Sequence, residues 1–325
     1  MRPLKQMTTS LYGKFLILFL LGIFTISCEK EELNSTNLET ADASVKSMNT
    51  VKITSTGMNF DAPDEIPQGW TTFSYKNKTS ELHFFILVKI PDDKTLEEYH
   101  QEVTVPFNNY LKFLRGEEIE PEEMAIAGWF FTEAYNTGGS GLIDPGKTAV
   151  SSVNLEPGNY IIECYVKLPN GDFHSLVGML DQMTVTNEVS TSKEPKADVS
   201  IRIDGNGLNL EDEIKRPGLH TFSVDFAAGS TADVHLVKIE NPDNANRELL
   251  KNWIYWGNNI GQTNEGLMTP APEGFSFIGG TQEFFDSEND KRTYFQAVLK
   301  PGTYALVSEV PYNIIDEHYI EFTVE

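Results

Sequence analysis

The chain reads as an all-β protein made of two consecutive β-sandwiches, and three observations predict this. Short runs rich in Val, Ile, Phe and Tyr are separated by Pro-Gly or Asn-Gly turns, the punctuation of antiparallel strands. One block recurs: Gln68-Gly69-Trp-Thr-Thr-Phe73-Ser is answered 149 residues on by Pro217-Gly218-Leu-His-Thr-Phe222-Ser, and Leu87-Val-Lys-Ile90 by Leu236-Val-Lys-Ile239. A second correspondence, at an offset of 144, sets Leu155-Glu-Pro-Gly-Asn-Tyr160 against Leu299-Lys-Pro-Gly-Thr-Tyr304. A chain of 325 residues holds two such units, each of about 130 to 140 residues and able to bury its own core.

From the N-terminus, Met1 to Lys14 carry Arg2, Lys5 and Lys14 and no acid, and the apolar run Phe15 to Ile26 follows. That run has about 12 residues, whereas a helix crossing hydrocarbon needs about 20, so a cleaved export signal is expected over residues 1–27. Thr25-Ile26-Ser27-Cys28 resembles the lipobox of bacterial lipoproteins, which implies acylation of Cys28 and tethering to a membrane by lipid. Glu29-Lys30-Glu31-Glu32 resembles the acidic export tag of Bacteroidetes surface lipoproteins, with plain solvated charge as the alternative. The expected location is that of an outer-membrane lipoprotein, periplasmic or at the cell surface. Residues 28–49, rich in Glu, Ser, Thr, Asn and Ala, read as the acylated cysteine and a flexible stalk.

The first sandwich is expected over residues 50–188, a linker over 189–197 within the polar stretch Asn187 to Lys196, and the second sandwich over 198–325. Two segments break the strand pattern. Leu96, Tyr99, Val103, Phe107, Tyr110 and Leu111 recur at three or four residues and predict a helix over Thr95 to Leu114, broken or kinked at Pro106. The related segment Arg247 to Trp256 predicts another. Gly138-Gly139-Ser-Gly141 and Gly279-Gly280 occupy related places before each penultimate strand and are expected to be loop glycines. Trp129, Trp253, Tyr255 and Trp256 are expected in core packing, with a carbohydrate-binding face as the alternative.

The formal charge is −23, and more negative once the leader cations are removed, so the surface repels phosphate backbones and nucleic acid is excluded as a partner. Cys28 and Cys164 are the only cysteines, so acylation of Cys28 leaves Cys164 as a lone thiol. No Gly-x-Ser-x-Gly, no His-Glu-x-x-His and no further thiol for a zinc site occurs. A glycan hydrolase lacks a recognisable nucleophile or carboxylate pair. The acidic stretches Glu117 to Glu123 and Asp286 to Asp290 lack the spacing of a calcium loop and read as solvated faces.

Chemistry concentrates in the first copy. Pro157-Gly158-Asn-Tyr160-Ile-Ile162-Glu-Cys164 places a turn before a strand, with Tyr160, Ile162 and Cys164 on one face by alternation. His174 and Met179 follow, then the closing run Leu180 to Val185; upstream, His83 begins the run to Ile90. This succession resembles the cupredoxin family, the fold of plastocyanin and other blue copper proteins. The resemblance implies a type-1 copper site with His83, Cys164 and His174 as equatorial ligands and Met179 as the axial one, donors that suit both oxidation states. Nine residues separate Cys164 from His174, more than in the family. Asn170-Gly171 supplies a turn for a hairpin that could return His174 to the site. The free cysteine has a plainer reading as a small buried hydrophobe.

In the second copy Ala232 stands at the place of His83, Ser308 at that of Cys164 and His318 at that of His174, while His235 falls on the opposite strand face. That copy is expected to hold no such copper. Two functional readings follow. The first is a lipid-anchored protein that is not an enzyme, needs no cofactor, and presents a binding or assembly surface to an unknown protein or small-molecule ligand. The second is a copper-binding or electron-transfer protein with one site in the first sandwich.

Overall fold

The computed structural model describes residues 50–257, 266–309 and 318–325. Cys28, the leader and the stalk lie outside the described residues. The first copy contributes β1 (Thr50–Ser55), β2 (Phe60–Asp61), β3 (Glu65–Asn77), β4 (His83–Ile90), β5 (Tyr135–Ile143), β6 (Thr148–Leu155), β7 (Gly158–Glu163) and β8 (Leu180–Val189). The second contributes β9 (Val199–Asp204), β10 (Gly207–Leu210), β11 (Gly218–Phe226), β12 (Val234–Ile239), β13 (Phe275–Thr281), β14 (Lys291–Leu299), β15 (Gly302–Val307) and β16 (Tyr319–Val324). The all-β expectation holds, and each copy is built of β-strands as a sandwich with short helical insertions.

The duplication is visible in the hydrogen-bond register. Phe73 pairs with Ser151 in the first copy and Phe222 with Phe295 in the second; Ile86 pairs with Glu163, and His235 with Val307. These pairs map onto one another through the two sequence offsets. β1 runs parallel to β3 as β9 does to β11. In each sandwich one face of each strand fills the core: Phe73, Tyr75 and Phe85 meet edge-on at 5.2–5.5 Å, and Phe222 stacks on Phe295 at 4.4 Å.

The sheets do not stop at the copy boundary. β6 pairs with β14 so that Ser151 meets its own counterpart Phe295, and β5 meets β13 at Ile143 and Ile278. Two layers result, β10-β9-β11-β14-β6-β3 and β8-β7-β4-β5-β13-β12-β15-β16, joined into one path where the first residues of β3 pair in parallel with β8. The joint is an intramolecular version of a two-fold dimer contact, and it removes four sheet edges from solvent.

The glycine clusters belong to this joint, which corrects their expected place in loops. Gly138, Gly139 and Gly141 lie in β5, and Gly279 and Gly280 in β13. A Cβ on Gly139 would stand 2.1 Å from the Phe85 carbonyl oxygen, and one on Gly280 would stand 1.9 Å from that of Val234. Both strands break register beside their neighbours here, and only glycine permits the backbone approach.

The expected helix forms over Leu96–Tyr99 (α1), a wider π-helical turn over His100–Thr104, and Val105–Leu114 (α2). Thr95 and Glu98 form a capping box at its start. Pro106 sits in the first turn of α2, and the π turn before it absorbs the missing donor, so the path widens at Pro106 and stays helical. Gly128–Thr132 forms α3 and Arg247–Ile254 forms α4, which ends two residues before the expected Trp256. Trp253 is 4% exposed and packs in the core, and Trp129 and Trp256 are half-buried against it.

Candidate metal centre

Strand geometry brings His83 to Cys164. β4 and β7 are antiparallel, with Ile86 opposite Glu163 and Leu87 opposite Ile162, so Cys164 continues β7 beside the start of β4. Tyr160, Ile162 and Cys164 are buried on the predicted core face. Beyond Cys164 the chain makes the hairpin that its Asn170-Gly171 pair announced: Lys167 bridges Phe173, the Leu168 amide donates to Asp172 O at 2.9 Å, and Gly171 takes a φ of 82°. The His174 amide then donates to Val166 O at 2.8 Å, which returns the imidazole to the cysteine. The long spacing is therefore looped out.

Three of the four candidates converge. Cys164 Sγ lies 3.7 Å from His83 Nδ1 and 3.9 Å from His174 Nδ1, and the two nitrogens are 3.1 Å apart. A cation bound at about 2.3 Å to sulfur and about 2.0 Å to nitrogen holds sulfur about 3.8 Å from each nitrogen in a trigonal plane, so the triangle fits a metal in size. All three side chains are fully buried. Met179 is also buried, and the loop holds it by two backbone bonds: its amide donates to His174 O at 3.0 Å, and its carbonyl accepts from the Cys164 amide at 3.1 Å.

Electrostatics suit neutral imidazoles and a ligand that ionises on binding. Burial lowers His83 to about 4; burial and the neighbouring His83 lower His174 to about 3. Burial pushes the Cys164 thiol up to about 12, opposed by the Phe84 and Val166 amides directed at the sulfur.

Two supporting residues escaped the sequence reading. Glu81 Oε2 lies 3.1 Å from His174 Nε2, out of line for a hydrogen bond, and its charge would draw a proton to that nitrogen and away from Nδ1. Asn77, fully buried, donates to Glu81 O at 2.7 Å and Ile143 O at 3.2 Å, and its Oδ1 accepts from the Thr79 amide at 2.9 Å. It thereby shapes the turn that carries Glu81 to His83. The signal in sequence was slight: an acid two residues before His83, inside a polar stretch that reads as any turn.

The second copy places Ala232 and Ser308 at the equivalent buried positions. On the opposite face of β12, Asp233 and His235 meet Glu309, and Tyr165 of the first copy donates to Glu309. His235 Nδ1 accepts from the Leu142 amide at 3.0 Å, so its proton sits on Nε2, 2.7 Å from Asp233 Oδ2. That tautomer leaves no imidazole lone pair for a cation. Buried Glu309 is held well above the usual carboxylate range by desolvation and by Asp233, which is itself held low chiefly by His235, so the cluster closes as a shared-proton network between the copies.

No protein-family model and no curated protein matches the chain. Solved structures do. Auracyanin A, titled a blue copper protein from Chloroflexus aurantiacus, is 19% identical over 42% of this chain and 98% of its own, with a TM-score of 0.27. A multicopper oxidase is 10% identical over 85% of this chain and 88% of its own, TM-score 0.22. The copper-containing nitrite reductase of Thermus scotoductus is 12% identical over 85% and 61%, TM-score 0.21. At these scores the fold assignment rests on the strand pairing above. The expectation that the chain is not an enzyme is corrected nonetheless: the oxidase and the nitrite reductase among these matches are enzymes, and the expectation rested only on the second copy's missing site. A sandwich scaffold leaves its chemistry to the site it carries, so a missing site in one copy is no sign of a non-enzyme. The expectation that no cofactor is needed is likewise dropped, since His83, Cys164 and His174 form a donor set sized for a metal.

Proposed function

We propose that the chain is a copper protein with one thiolate centre in its first copy, working as a single-electron carrier outside the membrane. The observation that supports it is the triangle of His83 Nδ1, His174 Nδ1 and Cys164 Sγ, drawn from three separate segments into a dry pocket. Met179 is the candidate axial ligand. Copper in such a set supplies a one-electron couple, because thiolate and imidazole suit both of its oxidation states. The chain's own part is to hold two imidazole lone pairs and one sulfur in place, exclude water, and give up the Cys164 proton on metal entry. Soluble protein from residue 29 onward, mixed with Cu(II), is expected to develop an intense thiolate charge-transfer band that Cys164→Ser abolishes. A colourless wild-type sample overturns the reading.

The carrier is proposed to be tethered by acyl chains on Cys28, on the strength of the leader and lipobox-like residues. Labelled palmitate fed to expressing cells should enter the wild-type chain and not Cys28→Ala. Equal labelling of both sinks the anchor and leaves the copper site untouched.

A further inference from the structure

Directly behind the ligand-bearing strand lies a cavity of about 180 Å³, between the helical insertion and the outer face of β4. Its walls are largely aromatic, from Tyr99, Phe107, Phe130 and Phe173 of the first copy and Trp256 of the second. Two carboxylates, Glu163 and Glu283, open onto the same space. Glu163 accepts from the Tyr99 hydroxyl at 2.6 Å and Glu283 from the Asn136 amide at 3.1 Å, and among the described residues neither has an ion-pair partner. Thr104, 2% exposed and placed on the π-helical turn, also lines the cavity, and its hydroxyl has no hydrogen-bond partner among the described residues.

Two acids face this space. The buried Lys167 ammonium beside it is taken up by the Trp256 carbonyl and the Phe173 ring and forms no ion pair with either acid among the described residues. That is a costly arrangement for an empty cavity. A carboxylate withdrawn from water needs a charge or several donors to compensate it. Burial accordingly pushes Glu283 up to about 7. An anion would meet two acids, and a bare metal ion would leave five aromatic faces unused. A small organic cation answers both features, since its charge pairs with carboxylates and its body packs on rings that attract positive charge through their faces. Size agrees: a cavity of about 150 Å³ holds one benzene ring.

We propose that this cavity binds a small organic ammonium ion, with Glu163 and Glu283 as its counter-charges, the aromatic walls as its cage and Thr104 as an added acceptor. Glu163 and Tyr165 flank Cys164 in the chain and both line the cavity, so an occupant lies one strand's thickness from the candidate metal centre. The inference does not depend on copper.

Calorimetric titration of the full mature chain with benzylammonium, benzyl alcohol and benzoate tests it. Benzylammonium is expected to bind at least about tenfold more tightly than the neutral alcohol, and benzoate not to bind. Glu163→Gln combined with Glu283→Gln should erase the preference for the cation. Should that variant fail to fold, Glu283→Gln alone leaves the Tyr99–Glu163 bond in place and should reduce the preference. Metal-free protein and protein mixed with Cu(II) should both show the preference for benzylammonium, which separates this outcome from any failure of the copper reading. Equal affinity for ammonium and alcohol, or a preference that survives the glutamine variants, overturns the proposal.

Discussion

In the proposed metal site, Glu81 is a residue that would support the metal without touching it. Its carboxylate stands 3.1 Å from Nε2 of His174, whose other ring nitrogen faces Cys164. Partners of this kind typically change metal affinity about 10- to 100-fold when removed. Glu81→Gln is therefore expected to weaken copper binding about tenfold or more in competition titrations while leaving the urea midpoint of the metal-free protein nearly unchanged. An affinity within a factor of about two of wild type assigns Glu81 to the turn alone. The resemblance carried by residue types in order put His83, Cys164, His174 and Met179 forward as candidates, and the first three of these converge in the fold. Glu81 and Asn77 were not legible, since their work lies in where the 77–83 turn points them, and an acid or amide in a polar turn looks like any other.

Among the elements, β5 and β13 depend on glycine for a reason that sequence misassigned. Gly139 and Gly280 are not turn residues; each lies under a neighbouring carbonyl where a methyl group has no room. Gly139→Ala or Gly280→Ala is expected to cost about 3 kcal/mol or more in chemical denaturation, at the upper end of single substitutions. Gly205→Ala, in open space at ordinary φ, should stay within about 0.5 kcal/mol. Similar small losses at all three positions refute the close-approach account. The helix over Leu96–Leu114 shows the opposite case, where apolar periodicity located the element well and only the π-helical accommodation of Pro106 was hidden. Periodicity reports which face is buried, and it carries no information on how a backbone adjusts locally.

For the whole molecule, the decisive feature is that the copies share both sheets and a buried face. Val237, Ile239, Ala305 and Val307, on the side of β12 and β15 away from the second core, are buried with the first copy's core. The second copy's own core takes the alternating neighbours Val234, Leu236, Tyr304 and Leu306. Separation of the copies would divide the first copy's cluster, which also holds Leu250, Trp253 and Ile254 of the second copy's helix, and would expose four strand edges. Calorimetry of the soluble chain should accordingly show one cooperative transition, with calorimetric and van't Hoff enthalpies in agreement. Two resolved transitions would show that the copies fold independently despite the shared sheets.

The duplication, the strand pattern and the order of ligands are local or repeating features, so they were open to reading along the chain: a turn dipeptide, a two-residue alternation and a repeated anchor each speak within a few residues. What required the fold was everything set by closeness between distant segments. The hairpin at Asn170-Gly171 had to close before His174 could be placed 3.9 Å from Cys164. Both copies had to join edge to edge before Tyr165 could reach Glu309, or Trp256 could wall a cavity of the first copy. Such contacts depend on packing two faces of one strand against different partners, and a one-dimensional pattern records that a face is apolar without recording what covers it.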